Sequence, residues 1–570
     1  MVLYSPGKTA LNEKTFRHAA DQFKREYEVL TEGERNAIWV KDHYRRIDLH
    51  LSAIDQLTSD LVDTGVKKSG VRTRWDIRRG PIETIMYCKR DLTTEYIGHL
   101  WRSEIMKKPL ACILLSSIGL PAAAQQSDDD CAALRQVVLA GAHVTSSRVV
   151  PASDTLPSYC EIRATALPAI SIEARLPMEG WNGKFYQAGC GGFCGVLGRA
   201  DAGASWINAM RLGLERGYAT ATSDSGHHGL SVVDAGWAYN NPHAERDWGW
   251  RSIGETNRVA NAMIEAFYNS ASQQSIFQGC STGGRMAHVA SLRYPEMFDG
   301  IISGAPAMDY PGLVATKMSW LVQANTASDG SQILGPDEAA IIGQAVIEQC
   351  DAIDGSEDGT IADPRQCDIR YDGLGLTNQQ LDTLGKWREG PRNAAGDQLY
   401  PGGIPEGSEP FWWLWLTGNA DGGGKLVPAF AGGFGSYMAF DVDPGPNWTP
   451  MEFDFETDPA RMSLSAAAYN GDNPDIAAFR EAGGKMIVFH GWANAIVTPY
   501  KTVEWYEQAS ETAGGEETLK ENVALFMVPG LDHCGILPGP GGINAAALDP
   551  LTPLEAWLNE GVIPQSIMAE

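Results

Sequence analysis

The sequence predicts an α/β fold built on a largely parallel sheet, with a large insertion ahead of its last strands. Three observations carry this. Short apolar runs alternate with amphipathic stretches up to about residue 310, and again from residue 485, which is the rhythm of strand–helix units. At the centre, Ser275-Ile276-Phe277 stops at Gly279-Cys280-Ser281-Thr282-Gly283 and resumes as Met286-Ala287-His288-Val289-Ala290, which reads as strand, sharp turn, helix. Finally, 570 residues with 44% apolar and 20% charged side chains describe a globular chain larger than one ordinary domain.

The amino-terminal part stands apart. Met106-Lys107-Lys108 precedes an apolar run, Leu110 to Leu120, that ends in Pro121-Ala122-Ala123-Ala124. Two lysines, a short apolar core and small residues at its end form a secretory signal peptide, too short to span a bilayer. Such a signal works at an amino terminus, so residues 1–105 are expected to be an upstream extension foreign to the secreted product, with the leader at 106–124. The expected location is secreted or periplasmic. Residues 125–570 carry 25 basic and 55 acidic side chains, a net charge of −30, which argues against nucleic acid or anionic membrane as partner.

The mature region keeps eight cysteines: Cys131, Cys160, Cys190, Cys194, Cys280, Cys350, Cys367 and Cys534. An even count in an exported chain suggests disulfides, but eight cysteines allow 105 pairings and spacing alone does not choose among them.

Residues 131–177 read as short strands and turns leading into the sheet. Trp181-Asn182-Gly183-Lys184-Phe185-Tyr186-Gln187-Ala188 then runs into the glycine cluster Gly189-Cys190-Gly191-Gly192-Phe193-Cys194-Gly195. A strand ending in glycines can present a backbone N–H to an anion, or can be a plain turn. A further buried strand ends at Ser223-Asp224-Ser225-Gly226-His227-His228-Gly229; adjacent histidines on a strand end face opposite ways, so they are expected to order the loop rather than bind metal. A helical stretch over 259–268 leads to the Ser281 turn. There the glycines permit a strained serine backbone that lifts the hydroxyl out at the carboxyl edge of the sheet, with the next amide aimed at the same space.

After residue 310 the rhythm is lost. Residues 311–475 hold glycine-rich and aromatic segments such as Phe411-Trp412-Trp413-Leu414-Trp415, the composition of an aromatic-walled lid. Within it, Cys350 and Cys367 flank a run containing Asp351, Asp354, Ser356, Asp358 and Thr360. Three aspartates within eight residues make a hard-oxygen loop suited to Ca²⁺, unless it is a solvated acidic turn. The core resumes with Met486-Ile487-Val488-Phe489-His490-Gly491-Trp492-Ala493-Asn494, and Leu531-Asp532-His533-Cys534 follows. A Cys280–Cys534 bond would bring Ser281 and His533 side by side, because bridged α-carbons lie only ~5.5–6 Å apart.

Cys280-Ser281 together with His533-Cys534 resembles the tannase and feruloyl esterase family, which includes mono(hydroxyethyl) terephthalate hydrolases; the likeness covers roughly residues 131–560. It implies an α/β-hydrolase core over 125–310 and 476–570 with a lid domain over 311–475. It implies a serine carboxylesterase acting on esters of aromatic acids (feruloyl, galloyl or terephthalate monoesters) through an acyl-enzyme. Ser281 would be nucleophile and His533 base, with the amides of Thr282 and Gly191 as oxyanion donors. Locality and the resemblance together favour Cys131–Cys160, Cys190–Cys194, Cys350–Cys367 and Cys280–Cys534. The acidic loop resembles the family's calcium loop, with carboxylates of Asp351, Asp354 and Asp358 and carbonyls of Ser356 and Thr360; no organic cofactor is implied.

One position departs from the pattern: the family has aspartate where this chain has Asn494. Asparagine can accept a bond from the imidazole but cannot stabilise an imidazolium, and in a serine protease that exchange costs ~10⁴ in rate. Either the chain is impaired and binds phenolic ligands, or it is an unusual or engineered variant, or another carboxylate serves. Asp532 is badly placed next to His533, and Glu504 lies a helix-length further on. Asn494 is kept as the positional third member.

Overall fold

The computed structural model describes residues 126–197 and 207–569, and the backbone of two strands further upstream. Those two, Arg74–Ile77 and Met86–Lys89, pair antiparallel within a unit spanning Met1–Ala122. The leader at 106–124 and the rest of the upstream segment lie outside the described residues. Residues Ala123–Glu570 form the second compact unit.

That unit is built on nine strands: β1 (Ala142–Val150), β2 (Tyr159–Ala166), β3 (Ile170–Pro177), β4 (Lys184–Ala188), β5 (Ala219–Ser223), β6 (Gln274–Cys280), β7 (Gly300–Gly304), β8 (Lys485–Gly491) and β9 (Val523–Val528). Their order across the sheet is β9-β8-β7-β6-β4-β5-β3-β2-β1. Pairings from β9 through to β5 are parallel. The three that join β5 to β3, β2 and β1 are antiparallel.

Strands β6 to β8 are buried almost from end to end, as continuous apolar runs covered on both faces must be. Successive residues divide between two cores. Phe277, Ile301 and Val488 pack in one; Ile276, Ile302 and Ile487 pack in the other. Helix α1 (Ser252–Tyr268) ends on Asn269 in the left-handed conformation at φ 52°. Helix α2 (Thr282–Arg293) sends Met286, Ala287 and Val289 into the first core, whereas the carboxyl-terminal helix at Leu551–Glu560 sends Leu554 and Trp557 into the second. The sheet is thus sandwiched in three layers.

Among the described residues, 311–475 add no strand to the sheet. They fold as helices: α3 (Pro336–Cys350), α4 (Asn378–Glu389) and α5 (Val427–Tyr437). The Glu338 carboxylate accepts the Gly335 N–H at 2.8 Å ahead of Pro336, and Thr377 and Gln380 cap each other at the start of α4. Trp387, Trp412, Phe430 and Phe434 from this segment bury themselves in the same core as Phe277 and Val488.

Candidate active site

Ser281 sits between the last residue of β6 and the first of α2, with φ 63° and ψ −121°. A non-glycine residue there carries on the order of 1–3 kcal/mol of strain, so its surroundings must hold it. Its N–H donates to the Gly304 carbonyl at 3.0 Å; its own carbonyl accepts the N–H of Arg285 at 3.0 Å and of Ala307 at 3.2 Å. The flanking glycines are required by close approach. A Cβ on Gly279 would fall 2.5 Å from the Gly283 backbone, and one on Gly283 would fall 2.8 Å from the Cys190 carbonyl oxygen.

His533 follows β9, and the disulfide Cys280–Cys534, with α-carbons 6.0 Å apart, ties its loop to the Ser281 turn. Cys131–Cys160, Cys190–Cys194 and Cys350–Cys367 are also bonded. Asn494 lies just beyond the end of β8. Its amide oxygen accepts the N–H of Ile496 at 3.2 Å and of Val497 at 3.0 Å. Those two donors settle which end of the amide is oxygen. The amide nitrogen therefore faces His533 Nδ1 at 3.0 Å and His490 Nε2 at 2.9 Å. The sequence allowed Asn494 to accept from the imidazole; in the structure it donates. A donor at Nδ1 places the ring proton of a neutral His533 on Nε2. Burial pushes His533 down to about 3, with His490 adding to the effect, so the ring is neutral at ordinary pH.

Neither alternative carboxylate takes the aspartate's place. Asp532 accepts the Trp415 indole N–H at 3.2 Å, and burial pushes it up to about 7. Glu504 pairs with Lys501 at 3.0 Å. Nearby, the buried Lys317 ammonium donates to the Ile496 carbonyl at 3.4 Å, and burial pushes it down to about 7.

Thr282 opens α2, and its hydroxyl donates to the Gly192 carbonyl at 2.7 Å. The Tyr310 hydroxyl lies 3.3 Å from that of Thr282 and donates to the same carbonyl at 3.4 Å. Gly191 and Gly192 thus lie against the nucleophile turn. A Cβ on Gly191 would fall 2.6 Å from Ile207, and Gly192 has φ 57°. His227 bonds the Phe193 carbonyl at 2.7 Å and stacks on Trp237 at 3.7 Å, so it ties the loop to the glycine cluster, while His228 is exposed.

The acidic loop closes on itself. Asp351 accepts the N–H groups of Gly359 and Thr360 at 3.0 and 3.1 Å. Asp354 accepts that of Ser356 at 2.8 Å, and Asp358 that of Thr360 at 3.0 Å. Among the described residues no group of three His, Cys, Asp or Glu side chains converges, and here the three carboxylates accept N–H groups of their own loop.

Sequence reasoning gave no role to three residues that the fold brings here: His490, Tyr310 and Trp415. His490 sits four residues before Asn494, the one local signal available. The Trp415 ring stands edge-on to His533 at 5.4 Å, a contact across 118 residues.

The profile of a family described as tannase and feruloyl esterase matches residues 155–570. An uncharacterized esterase of Xanthomonas campestris pv. campestris is 31% identical over 522 residues, covering 80% of this chain and 86% of that protein. Mono(2-hydroxyethyl) terephthalate hydrolase of Piscinibacter sakaiensis is 27% identical over 489 residues, covering 73% and 78%. The crystal structure of an esterase from Aspergillus oryzae superposes with a TM-score of 0.66 at 25% identity, covering 78% of this chain and 92% of that one. The nine-stranded sheet with its helices is an α/β-hydrolase fold.

Proposed function

The chain belongs to the tannase and feruloyl esterase family and is a carboxylic ester hydrolase; on that premise we propose that it cleaves esters of aromatic acids by a serine mechanism. The observation that carries this reading is Ser281 on its strained turn, joined to the His533 loop through Cys280–Cys534. Ser281 Oγ attacks the ester carbonyl and His533 takes its proton, which then leaves with the alcohol. The N–H groups of Thr282 and Gly191 hold the oxyanion, and water releases the acid from the acyl-enzyme. The Trp415 ring beside His533 supports a flat acyl group such as feruloyl, galloyl or terephthaloyl. Hydrolysis of methyl ferulate and methyl gallate, with Ser281→Ala as control, tests it: a Ser281→Ala protein that still turns over either ester sinks the serine mechanism.

A second reading has its own observation. Because Asn494 donates to Nδ1, the resting His533 has its proton on Nε2, where a base needs a lone pair. The chain then binds phenolic acids and turns over slowly or not at all. Absence of hydrolysis together with tight binding of ferulate or gallate selects this reading.

Export through the leader at 106–124 belongs to the same proposal. A secreted product beginning at Gln125 on amino-terminal sequencing supports it, and retention of residues 1–105 sinks it. Ca²⁺ at the 350–367 loop is proposed from its density of carboxylates. Binding has to displace the N–H groups now on Asp351.

A further inference from the structure

We propose that the Cys190–Cys194 disulfide is a positioning element for the oxyanion donor, a four-residue clamp that fixes the Gly191 N–H against the nucleophile turn. The proposal rests on the serine reading given above.

Gly191 and Gly192 are enclosed in the small ring that this bond closes. Inside it, the Cys194 N–H donates to the Gly191 carbonyl at 2.9 Å. That fixes the plane of the peptide following Gly191. Both cysteines are buried, and Cys194 itself has φ 63°, a conformation that a non-glycine residue adopts only when held. Neighbouring bonds complete the hold. Phe193 N–H donates to Val232 O at 2.7 Å, and Gly195 N–H to Asp224 O at 3.0 Å.

The ring is also tied to the reacting residues. Gly192 O receives the Thr282 hydroxyl at 2.7 Å and the Tyr310 hydroxyl at 3.4 Å. The Cys190 carbonyl is so close to Gly283 that a Cβ there would lie 2.8 Å away. Cys190 Sγ lies 3.2 Å from Ser225 Oγ, and Ser225, at φ 67°, is itself in the left-handed region. A loop of two glycines is the most mobile backbone available, whereas a donor works only when held at 2.7–3.1 Å from the developing oxyanion. The clamp removes that freedom while leaving the N–H uncovered by any side chain of residue 191. A loop rigidified for the oxyanion serves the transition state and not the bound ester, so its loss falls on kcat.

The test compares Cys190→Ala/Cys194→Ala with its parent on methyl ferulate, using the Asn494→Asp protein as parent if the natural chain is too slow to assay. The expected result is a kcat lower by roughly tenfold to hundredfold with KM within about twofold. Inhibition by an aryl boronic acid, which becomes tetrahedral on the serine, is expected to weaken by the same factor, with ferulate binding unchanged. A purely structural link predicts instead a loss proportional to the unfolded fraction. Should the double alanine variant not fold, Cys190→Ala/Cys194→Gly replaces it, since glycine takes the positive φ without strain; failure of both to fold overturns the proposal. Unchanged kcat and boronate affinity, with Ser281→Ala inactive, overturn the clamp alone. An active Ser281→Ala protein overturns the serine reading beneath it.

Discussion

The amide nitrogen of Asn494 stands 3.0 Å from Nδ1 of His533, and the amide oxygen is already held by the N–H groups of Ile496 and Val497. A carboxylate in the same place keeps both backbone bonds through one oxygen and offers the other to an Nδ1–H. Asn494→Asp is therefore expected to reverse the His533 tautomer and to raise kcat on an aromatic methyl ester by roughly 10²–10⁴, with KM nearly unchanged. If the natural chain already turns over at ordinary esterase rates and the substitution changes nothing, Asn494 is not the residue that orients His533.

The 254-residue separation closed by Cys280–Cys534 restricts the unfolded chain as well as placing His533. Cys280→Ser/Cys534→Ser is expected to lose about 3–5 kcal/mol in chemical denaturation, and activity should be lost before the fold is. Full activity in that variant would show that packing alone holds the two residues together.

Acid should destabilise the protein in a defined window. Burial pushes His288, His490 and His533 each down to about 3. The unfolded chain therefore binds protons on these groups below about pH 6.5 that the folded chain refuses. Stability is present above that pH and is lost as pH falls towards 3, by up to ~1.4 kcal/mol per pH unit for each histidine. His288 lies outside the site, edge-on to Trp505, with both ring nitrogens unpartnered. His288→Leu should flatten the decline in thermal midpoint between pH 7 and pH 5; an unchanged slope would mean that His288 does not contribute.

Chelator treatment followed by dialysis tests the acidic loop. Added Ca²⁺ is expected to raise the thermal midpoint, because an ion bound only by the folded loop stabilises it by mass action. A midpoint indifferent to both treatments leaves Asp351, Asp354 and Asp358 as caps for their own backbone.

The parts legible in the sequence were those specified locally or covalently. Glycines flanking Ser281 announce the turn wherever the rest of the chain goes, and Cys280 and Cys534 carry the neighbourhood of Ser281 and His533 across 254 residues. The orientation of the Asn494 amide was not legible, since it depends on where the chain at 496 and 497 directs its N–H groups. Tyr310 was hidden for a similar reason: it meets Thr282 only because β7 runs beside β6. The hydrogen bonds of the acidic loop were not legible either, because spacing counts carboxylates without revealing which N–H groups they accept.

Trp387, Trp412 and Phe434 share one interior with Phe277, Ile301 and Val488. Residues 311–475 therefore have no separate melting transition to display, and calorimetry should record a single endotherm for sheet and covering together. Transplanting this segment between relatives would carry half of a shared interior into a socket cut for another set of rings, so a working chimera needs the matching sheet residues moved with it.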